Sequence, residues 1–288
     1  MAGRIRSVPV PGSFFILLVL FGQLFLHGLA SPVASSPLGR NEQAPLEGSS
    51  YNNQTQMGFK LGEDDAETTL PSWFTSTLLA RRLLALTNAG VVSTLFPAPL
   101  PPQFPYTHTP SELAGKPVSL KEYIADCDEY LFDDADERQR GNPIFLALHV
   151  ATTFRNIQTS SNNVSLSIDW WDHLKEAEPV YPGLPSSPAG LPRVTLFGYV
   201  EPIEVTELKD NSPLKKCYLK AHPDAEVWLP GEEDSPHSSF WARLVVREAY
   251  WIGGFGDVAR IGWLDMALWK KIVKDGNDGW GSVKLPGE

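Results

Sequence analysis

The chain has 288 residues, of which 42% are hydrophobic and 20% charged, which suits one globular domain of about 200 residues with flexible ends. It carries 24 basic and 34 acidic residues, for a formal net charge of −10. So acidic a chain should be repelled by nucleic acid and by anionic membranes, and no cluster of lysine and arginine offsets the charge.

The N-terminus predicts a secretory signal peptide over residues 1–30. Arginines precede the apolar run Phe14–Leu26, and Gly28 and Ala30 stand at the small-residue positions of a cleavage site. A membrane-spanning helix, the alternative, needs about 20 apolar residues, which this run does not supply. We therefore expect cleavage after Ala30, no membrane span afterwards, and a protein that is secreted or kept in an endolysosomal or vacuolar lumen.

The lead-in, residues 31–69, is rich in Ser, Pro, Gly, Asn and Gln and lacks apolar periodicity, which predicts disorder. A helix follows, capped by Ser72 and stopped at Gly90. Its apolar face has helical spacing and comprises Trp73, Leu79, Leu83 and Leu86. The folded domain is therefore expected to begin near Leu70.

Strands are predicted after this helix. VVSTLF is the first, and residues 97–110 form a proline-rich surface loop. PVSLKEYIAD and GNPIFLALH are two more, joined by an acidic segment, residues 127–140, that we expect to be a solvated hairpin loop. Because its carboxylates lack the spacing of an EF-hand, no metal site is expected at Asp133, Asp134, Asp136 and Glu137.

The middle of the chain predicts a short helix, VATTFRNIQTS, and then a half-buried strand, NNVSLSIDWW. The core-facing side of this strand comprises Val164, Leu166, Ile168 and Trp170. Residues 172–192 predict a loop rich in Pro, Gly and Ser. RVTLFGYVEPIEV then predicts a strand that breaks near Pro202.

The last third predicts an amphipathic helix in SPLKKCYLKA, ending before Pro223. Its apolar face comprises Leu214, Cys217, Tyr218 and Ala221. AEVWLP predicts a short strand and SFWARLVVREAYWI a long one, with Arg243 and Arg247 on one side. The other side of the long strand comprises Phe240, Ala242, Leu244 and Val246. MALWKKIVK predicts a closing helix.

The expected entry into the secretory pathway makes two features of the sequence informative, its N-glycosylation motifs and its pair of cysteines. Asn53-Gln-Thr and Asn163-Val-Ser match the N-glycosylation pattern, so we predict glycans on Asn53 and Asn163. The two cysteines, Cys127 and Cys217, permit one disulfide and rule out a zinc site of the Cys-x-x-Cys kind. Their pairing stays open, because a free thiol also packs well on an apolar helix face.

A glycine-rich run follows the long strand. Gly254-Phe-Gly256-Asp-Val-Ala259 fits the dinucleotide fingerprint G-x-G-x-x-G/A. That fingerprint requires a helix to open at its last position, whereas RIGW follows here and the remaining chain cannot complete a βαβ unit. Glycines also permit the positive φ and close backbone approach of a sharp turn. We therefore predict a bend between two barrel strands.

Six or seven strands, few and short helices, and no strand-helix alternation predict a mainly β (α+β) fold, a small barrel with peripheral helices. The sequence has no nucleophile elbow, HExxH motif or Walker loop, so hydrolase, zinc-protease and P-loop functions find no support. The histidines at 149, 173 and 222 lack metal-ligand spacing, and each is expected to pack or to lie on the surface.

The order of several segments resembles that of a known family. It runs LLALTNAGVVSTL, GNPIFLALHVATTFRNIQTSSNNVSLSI, RVTLFGYVEPIE, YLKAHPDAEVW and AYWIGGFG. This order is similar to that of the secreted CREG-like β-barrel glycoproteins, within the pyridoxamine 5'-phosphate oxidase-like FMN-binding split barrels. The similarity covers residues 70–273 and leaves 274–288 as a C-terminal tail. It implies a six- to seven-stranded split β-barrel and a homodimer.

Members of the wider superfamily hold FMN between subunits, whereas the CREG branch generally lacks bound flavin and oxidase activity. The resemblance therefore implies no catalytic residues and no cofactor, and it favours a non-catalytic, secreted or vacuolar binding module for an unknown protein or small-molecule ligand. The alternative is an FMN-dependent oxidoreductase acting on a small molecule, with haem as a further ligand or substrate.

Bound FMN would need hydrogen-bond donors and a fixed cation at its phosphate, and an apolar wall at its ring. The sequence offers these in and beyond the TTFRNI helix: Thr152, Thr153, Arg155 and Asn156, with Trp251 as the wall. Structural roles compete for each, because threonine caps helices, arginine forms exposed ion pairs and tryptophan fills cores.

Overall fold

A computed structural model of the protein describes residues 70–131, 139–180, 183–204, 212–232, 234–256 and 259–288. The expected signal peptide and lead-in lie outside the described residues. The same holds for five residues singled out from the sequence: Asn53, Asp133, Asp134, Asp136 and Glu137.

The described helices and strands follow the chain in the order α1 (Trp73–Leu86), β1 (Ala89–Leu95), β2 (Pro117–Tyr123), α2 (Asp128–Leu131), β3 (Ile144–Leu148), α3 (Thr152–Thr159), β4 (Asn163–Asp169), β5 (Arg193–Pro202), α4 (Ser212–Ala221), β6 (Ser239–Ile252), β7 (Ile261–Trp263) and α5 (Met266–Lys271). The predicted mainly β fold with peripheral helices is confirmed.

The strands form one antiparallel, seven-stranded sheet in the order β2-β1-β4-β5-β6-β3, with β7 paired to β6. Its two ends, β2 and β3, meet at an isolated bridge just beyond β2. There the Ala125 N–H donates to the Ile144 carbonyl over 3.1 Å, and the Ile144 N–H donates to the Ala125 carbonyl over 2.9 Å. The sheet is therefore curled, and a single bridge joins its ends.

The inward face of the sheet forms the main apolar core. Leu166 of β4 lies opposite Val92 of β1 and Leu196 of β5, and all three are buried. Leu83 and Leu84 of α1 belong to the same buried cluster. The alternation predicted for β4 is confirmed, because apolar side chains at every second position reach this core.

A β-bulge interrupts the pairing of β5 with β6. Phe197 pairs with Glu248, whereas the next residue, Gly198, pairs with Val246, which leaves Arg247 as the extra residue. A Cβ on Gly198 would collide with the Val245 carbonyl oxygen, so the close approach requires glycine here. Because of this extra residue, even-numbered residues of β6 such as Val246 face the core before the bulge, and the odd-numbered Ala249 and Trp251 face it after the bulge.

The glycine-rich run is the bend between β6 and β7, as predicted. Gly254 and Gly256 have φ of 143° and 73°, which side chains disfavour. β7 then returns antiparallel to β6, bonded through Gly253 N–H to the Arg260 carbonyl over 2.9 Å and through Leu264 N–H to the Ala249 carbonyl over 2.9 Å. All named strand pairs of the described residues are antiparallel, which excludes the dinucleotide-binding alternative.

The helix prediction at residues 72–90 was right at its start and wrong at its end. Ser72 caps α1, because its hydroxyl accepts the Thr75 N–H over 3.0 Å. The helix ends at Leu86, however, and Gly90 lies inside β1, where a Cβ would collide with Leu166 and Ile168 of β4. The predicted apolar face was also wrong in part, since Trp73 and Leu86 are exposed.

Two further predictions were wrong. The acidic segment does not join a hairpin, because β2 pairs with β1 and β3 pairs with β6. AEVWLP is not a strand, because a 3-10 helix spans Pro223–Trp228. Proline suits the first position of a helical turn, since its missing N–H would have no intrahelical partner there.

Cys127 and Cys217, whose pairing the sequence left open, form a disulfide with their Cα atoms 5.8 Å apart. It fastens the start of α2 to α4, and both cysteines are buried in a second apolar cluster. Residues 274–288 pack against the domain, because Trp280 and Leu285 are buried and Arg82 pairs with Glu288 over 2.6 Å. Among the described residues, no helix is long and apolar enough to cross a membrane.

Candidate functional site

The residues proposed for flavin lie mainly on α3, which packs against β1. Thr153 and Asn156 face inward and are fully buried, whereas Thr152 and Arg155 are half-buried. Trp251 is buried in the main core, with 1% of its surface exposed, so it cannot contact a ligand from within a single chain. The structure therefore brings the α3 residues together but gives Trp251 a packing role.

Thr153 connects α3 to the sheet. Its hydroxyl donates a short hydrogen bond to the Glu122 carboxylate of β2. Burial raises the pKa of Glu122, and the hydrogen bond from Thr153 partly offsets that rise. The Thr153 hydroxyl is thus bonded to a carboxyl group of the chain itself.

Asn156 is the centre of a second buried contact. Its amide donates to the Thr94 hydroxyl of β1 over 3.1 Å, and its carbonyl accepts the Tyr106 hydroxyl over 3.0 Å. Tyr106 belongs to the proline-rich loop, so the side chain of Asn156 joins helix, strand and loop. Buried polar groups that are bonded in this way stabilise one arrangement of the backbone.

Arg155 is held by the same loop. Its Nη1 donates to the Phe104 carbonyl over 3.0 Å, and its guanidinium lies 5.5 Å from the centroid of the Phe104 ring. Thr153, Asn156 and the Arg155 Nη1 are therefore engaged within the chain, whereas the buried Arg155 Nε has no hydrogen-bond partner among the described residues. To hold the phosphate of FMN, Thr153, Asn156 and the Arg155 Nη1 would have to give up these contacts.

The structure shows a cavity of about 580 Å³ that the sequence did not indicate. We call it the α1–α4 cavity, because α1, α2, α4 and the segment 273–280 contribute its walls. The lining is partly apolar and partly charged, and includes Leu86, Tyr130, Cys217, Lys220, Lys274 and Trp280. It has the size of a small-molecule site.

A buried ionic cluster, Arg81, Asp126 and Asp128, lies in the wall of this cavity. The Arg81 Nη2 donates to Asp128 over 2.6 Å and lies 3.5 Å from Asp126. Its Nη1 donates to the carbonyls of Trp269 over 2.9 Å and Ile272 over 3.2 Å. One guanidinium therefore connects α1 to the start of α2 and to the end of α5.

The environment of the cluster shifts two pKa values. Burial, and then the charge of Asp128, raise the pKa of Asp126 to about 7. Burial, and then the charge of Arg81, lower the pKa of Lys270 to about 8. The Lys270 amine nevertheless has acceptors, because it donates to the Arg140 carbonyl over 2.8 Å and to Asn142 over 2.6 Å.

One sequence signal could have indicated this cluster. Arg81 follows Leu78 by three residues and precedes Leu84 by three, so it lies on the buried side of α1 at helical spacing. An arginine in that position needs acidic or carbonyl partners, because a buried charge is costly without them. The sequence does not show that Asp126 and Asp128 supply those partners.

The three histidines pack as expected. His149 lies 4.8 Å from Phe240 and His173 stacks at 3.6 Å on Trp170, measured between ring centroids. His222 is buried, stacks on Tyr123 and bonds the Ile124 carbonyl over 2.8 Å. Among the described residues, no group of three or more His, Cys, Asp or Glu side chains could hold a metal ion.

The family model for the CREG β-barrel matches residues 75–271, and the chain belongs to this family. Comparison with curated proteins gave no match.

Among solved structures, a heme-binding protein from Mycobacterium smegmatis is 20% identical, with a TM-score of 0.44, over 70% of this chain and 61% of that one. Campylobacter jejuni ChuZ is 12% identical, with a TM-score of 0.42, over 70% and 66% of the two chains. The heme storage protein HutZ from Vibrio cholerae is 13% identical, with a TM-score of 0.31, over 63% and 91%.

The structural role of α3 leads to a prediction. Asn156→Ala should lower the free energy of unfolding by about 1–3 kcal/mol, because Thr94 and Tyr106 lose a buried partner. Chemical denaturation measures this change. Gln158→Ala, on the exposed side of the same helix, is the control and should change stability by less than about 0.5 kcal/mol. Equal stability of the two variants would contradict the structural role.

Proposed function

We propose that this CREG-family protein is a non-catalytic binding module of the secretory pathway and that the α1–α4 cavity is its ligand site. The observation that carries the proposal is the cavity itself, whose volume of about 580 Å³ falls within the range of about 300–1,000 Å³ typical of small-molecule sites. Aromatic side chains and charged groups line it together, which suits a ligand with both an apolar and a polar part.

The chemistry of α3 supports binding over flavin catalysis. Thr153, Arg155 and Asn156 already bond the protein itself, so they would have to give up these contacts to hold a phosphate. The α1–α4 cavity is lined by Lys220 of α4 and by Trp280 of the segment 273–280. The alternative, an FMN-dependent oxidoreductase, is therefore an outcome of the test below.

The cavity assignment predicts that the purified protein is colourless and releases no flavin fluorescence on denaturation. Mass spectrometry of the released small molecules should instead detect a ligand that Ala221→Trp no longer retains, because Ala221 lines the cavity and an indole there would take up space that the ligand needs. Ala267→Trp, at an exposed position of α5, should retain it. Stoichiometric flavin in the wild-type protein would contradict the non-catalytic binding function and support an FMN-dependent oxidoreductase.

The secretory assignment rests on the predicted signal peptide, residues 1–30, the lead-in 31–69 and the domain that begins near residue 70. Asn163 is exposed at the start of β4, where a glycan can project into solvent. We therefore propose that both Asn53 and Asn163 are glycosylated on the way to the medium or to an endolysosomal or vacuolar lumen.

Enzymatic removal of N-glycans should lower the mass of protein made in a eukaryotic host. Asn163→Gln should remove part of that mass difference, and Asn162→Gln, a neighbour outside the acceptor motif, should leave it intact. A mass that glycosidase treatment does not change would contradict the assignment.

We also propose a homodimer that forms through the outer sheet face, defined here as Val91, Phe197, Tyr250, Ile261 and Trp263. The Trp263 ring lies 5.6 Å from that of Phe197 and 5.1 Å from that of Tyr250. Val91, Phe197, Ile261 and Trp263 are exposed. Exposed apolar patches of this kind mark interaction sites, and a two-fold interface uses the same patch on both copies.

Trp263→Asp should therefore convert the dimer to a monomer at micromolar concentration, because a charge would be buried at the centre of the patch. Light scattering measures the molar mass. Val227→Asp is the matched control, since Val227 and Trp263 are each 57% exposed and Val227 lies outside the patch. A wild-type monomer, or a dimer that survives Trp263→Asp, would refute this interface.

A further inference from the structure

Two carboxylates share one guanidinium in the buried ionic cluster. The side chains of Arg81, Asp126 and Asp128 are 0%, 4% and 12% exposed, respectively. Asp128 holds the guanidinium more closely than Asp126 does, and it also accepts the Gly141 N–H over 2.7 Å. With both acids ionised, the cluster carries an excess negative charge where water cannot screen it, and such a charge is costly.

Other charged groups lie in the wall of the same cavity as Asp126. Lys220 of α4, Arg140 ahead of β3, and Lys274 line the same cavity, together with Glu129 of α2 and Asp275. Lys274 pairs with Glu129 over 2.9 Å, and Lys270 of α5 donates to Arg140 and Asn142 oxygens. Within the ionic cluster, Arg81 and Asp128 act on Asp126 with opposite charges.

We propose that Asp126 is a proton-binding site that tightens the walls of the α1–α4 cavity in an acidic lumen and loosens them at neutral pH. This inference goes beyond the binding function and does not depend on which ligand the cavity takes. Protonation removes the repulsion between Asp126 and Asp128 and leaves Arg81 paired with Asp128. Arg81 still donates hydrogen bonds to the Trp269 and Ile272 carbonyls, so α1, α2 and α5 remain joined.

The sign of the effect follows from the direction of the shift. Because the folded protein raises the pKa of Asp126 from 3.8 to about 7, folding favours the protonated form. This contribution to stability is fully present below the unfolded pKa of 3.8 and is lost as the pH rises through about 7. Lys270, whose pKa is lowered to about 8, stays mainly protonated over most of that range.

Glu122 is a second carboxyl group whose pKa is raised, through burial beside Thr153, so the wild-type pH profile combines these two carboxyl groups and, close to pH 8, Lys270. Substitution separates them. Asp126→Asn keeps the shape of the side chain and imitates its protonated state, whereas Glu122→Gln removes the other group. Glu226→Gln, at an exposed position, is the matched control for the loss of one acidic charge.

The first test measures Tm between pH 5 and pH 8 for the full chain and these variants. The wild type should lose at least about 3 °C more than Asp126→Asn over this interval, which corresponds to a shift readily measured in a domain of this size. Glu226→Gln should lose as much Tm between pH 5 and pH 8 as the wild type. Glu122→Gln should still show the loss of Tm that depends on Asp126 and that Asp126→Asn abolishes. An Asp126→Asn profile as steep as that of the wild type would overturn the proposal.

The second test needs no variant and decides the matter if Asp126→Asn fails to fold. A carboxyl NMR titration of the wild type should place the midpoint of Asp126 at least two pH units above that of an exposed aspartate. Amide hydrogen exchange at residues 125–131 and 269–272, corrected for the intrinsic pH dependence, should be at least about tenfold faster at pH 8 than at pH 5. An ordinary midpoint, or exchange that does not change, would refute the switch.

Discussion

Residues Ala125–Asp128 are where the sheet, the disulfide and the buried charges are joined. Ala125 bridges the end of the sheet to β3, Cys127 is bonded to Cys217 in α4, and the two carboxylates hold Arg81 of α1. Because these bonds reach three separate parts of the chain, a displacement of this segment would open the end of the sheet and one wall of the cavity together. Closure of the barrel and shape of the cavity therefore have a common origin.

Much of the fold could be predicted from the sequence because side-chain patterns report burial. Val164, Leu166 and Ile168 alternate and fill the core from β4. The pattern does not report partners, however, so β2 and β3 looked like a hairpin although β3 pairs with β6, far along the chain. Short apolar segments are also ambiguous, and AEVWLP fits a helical turn after Pro223 as well as a strand.

The candidate site was harder to predict. The helix α3 was found, but the hydrogen bonds from Thr153 to Glu122 and from Asn156 to Thr94 depend on tertiary packing. A threonine or asparagine that could bind a phosphate looks the same in sequence as one that fastens a helix to a strand. The α1–α4 cavity was missed because segments from distant parts of the chain form it, and only the buried position of Arg81 hinted at it.

The last strand of the sheet has a consequence for solubility. β7 has three residues, and its bonds to β6 use the backbone of Arg260 and Leu264, so the backbone of Ile261 and Trp263 points away from β6. Such a short row of amides is a poor template for strand addition, although the side chains beside it are apolar. This strand can thus display aromatic side chains without itself offering a long edge on which fibrils could grow.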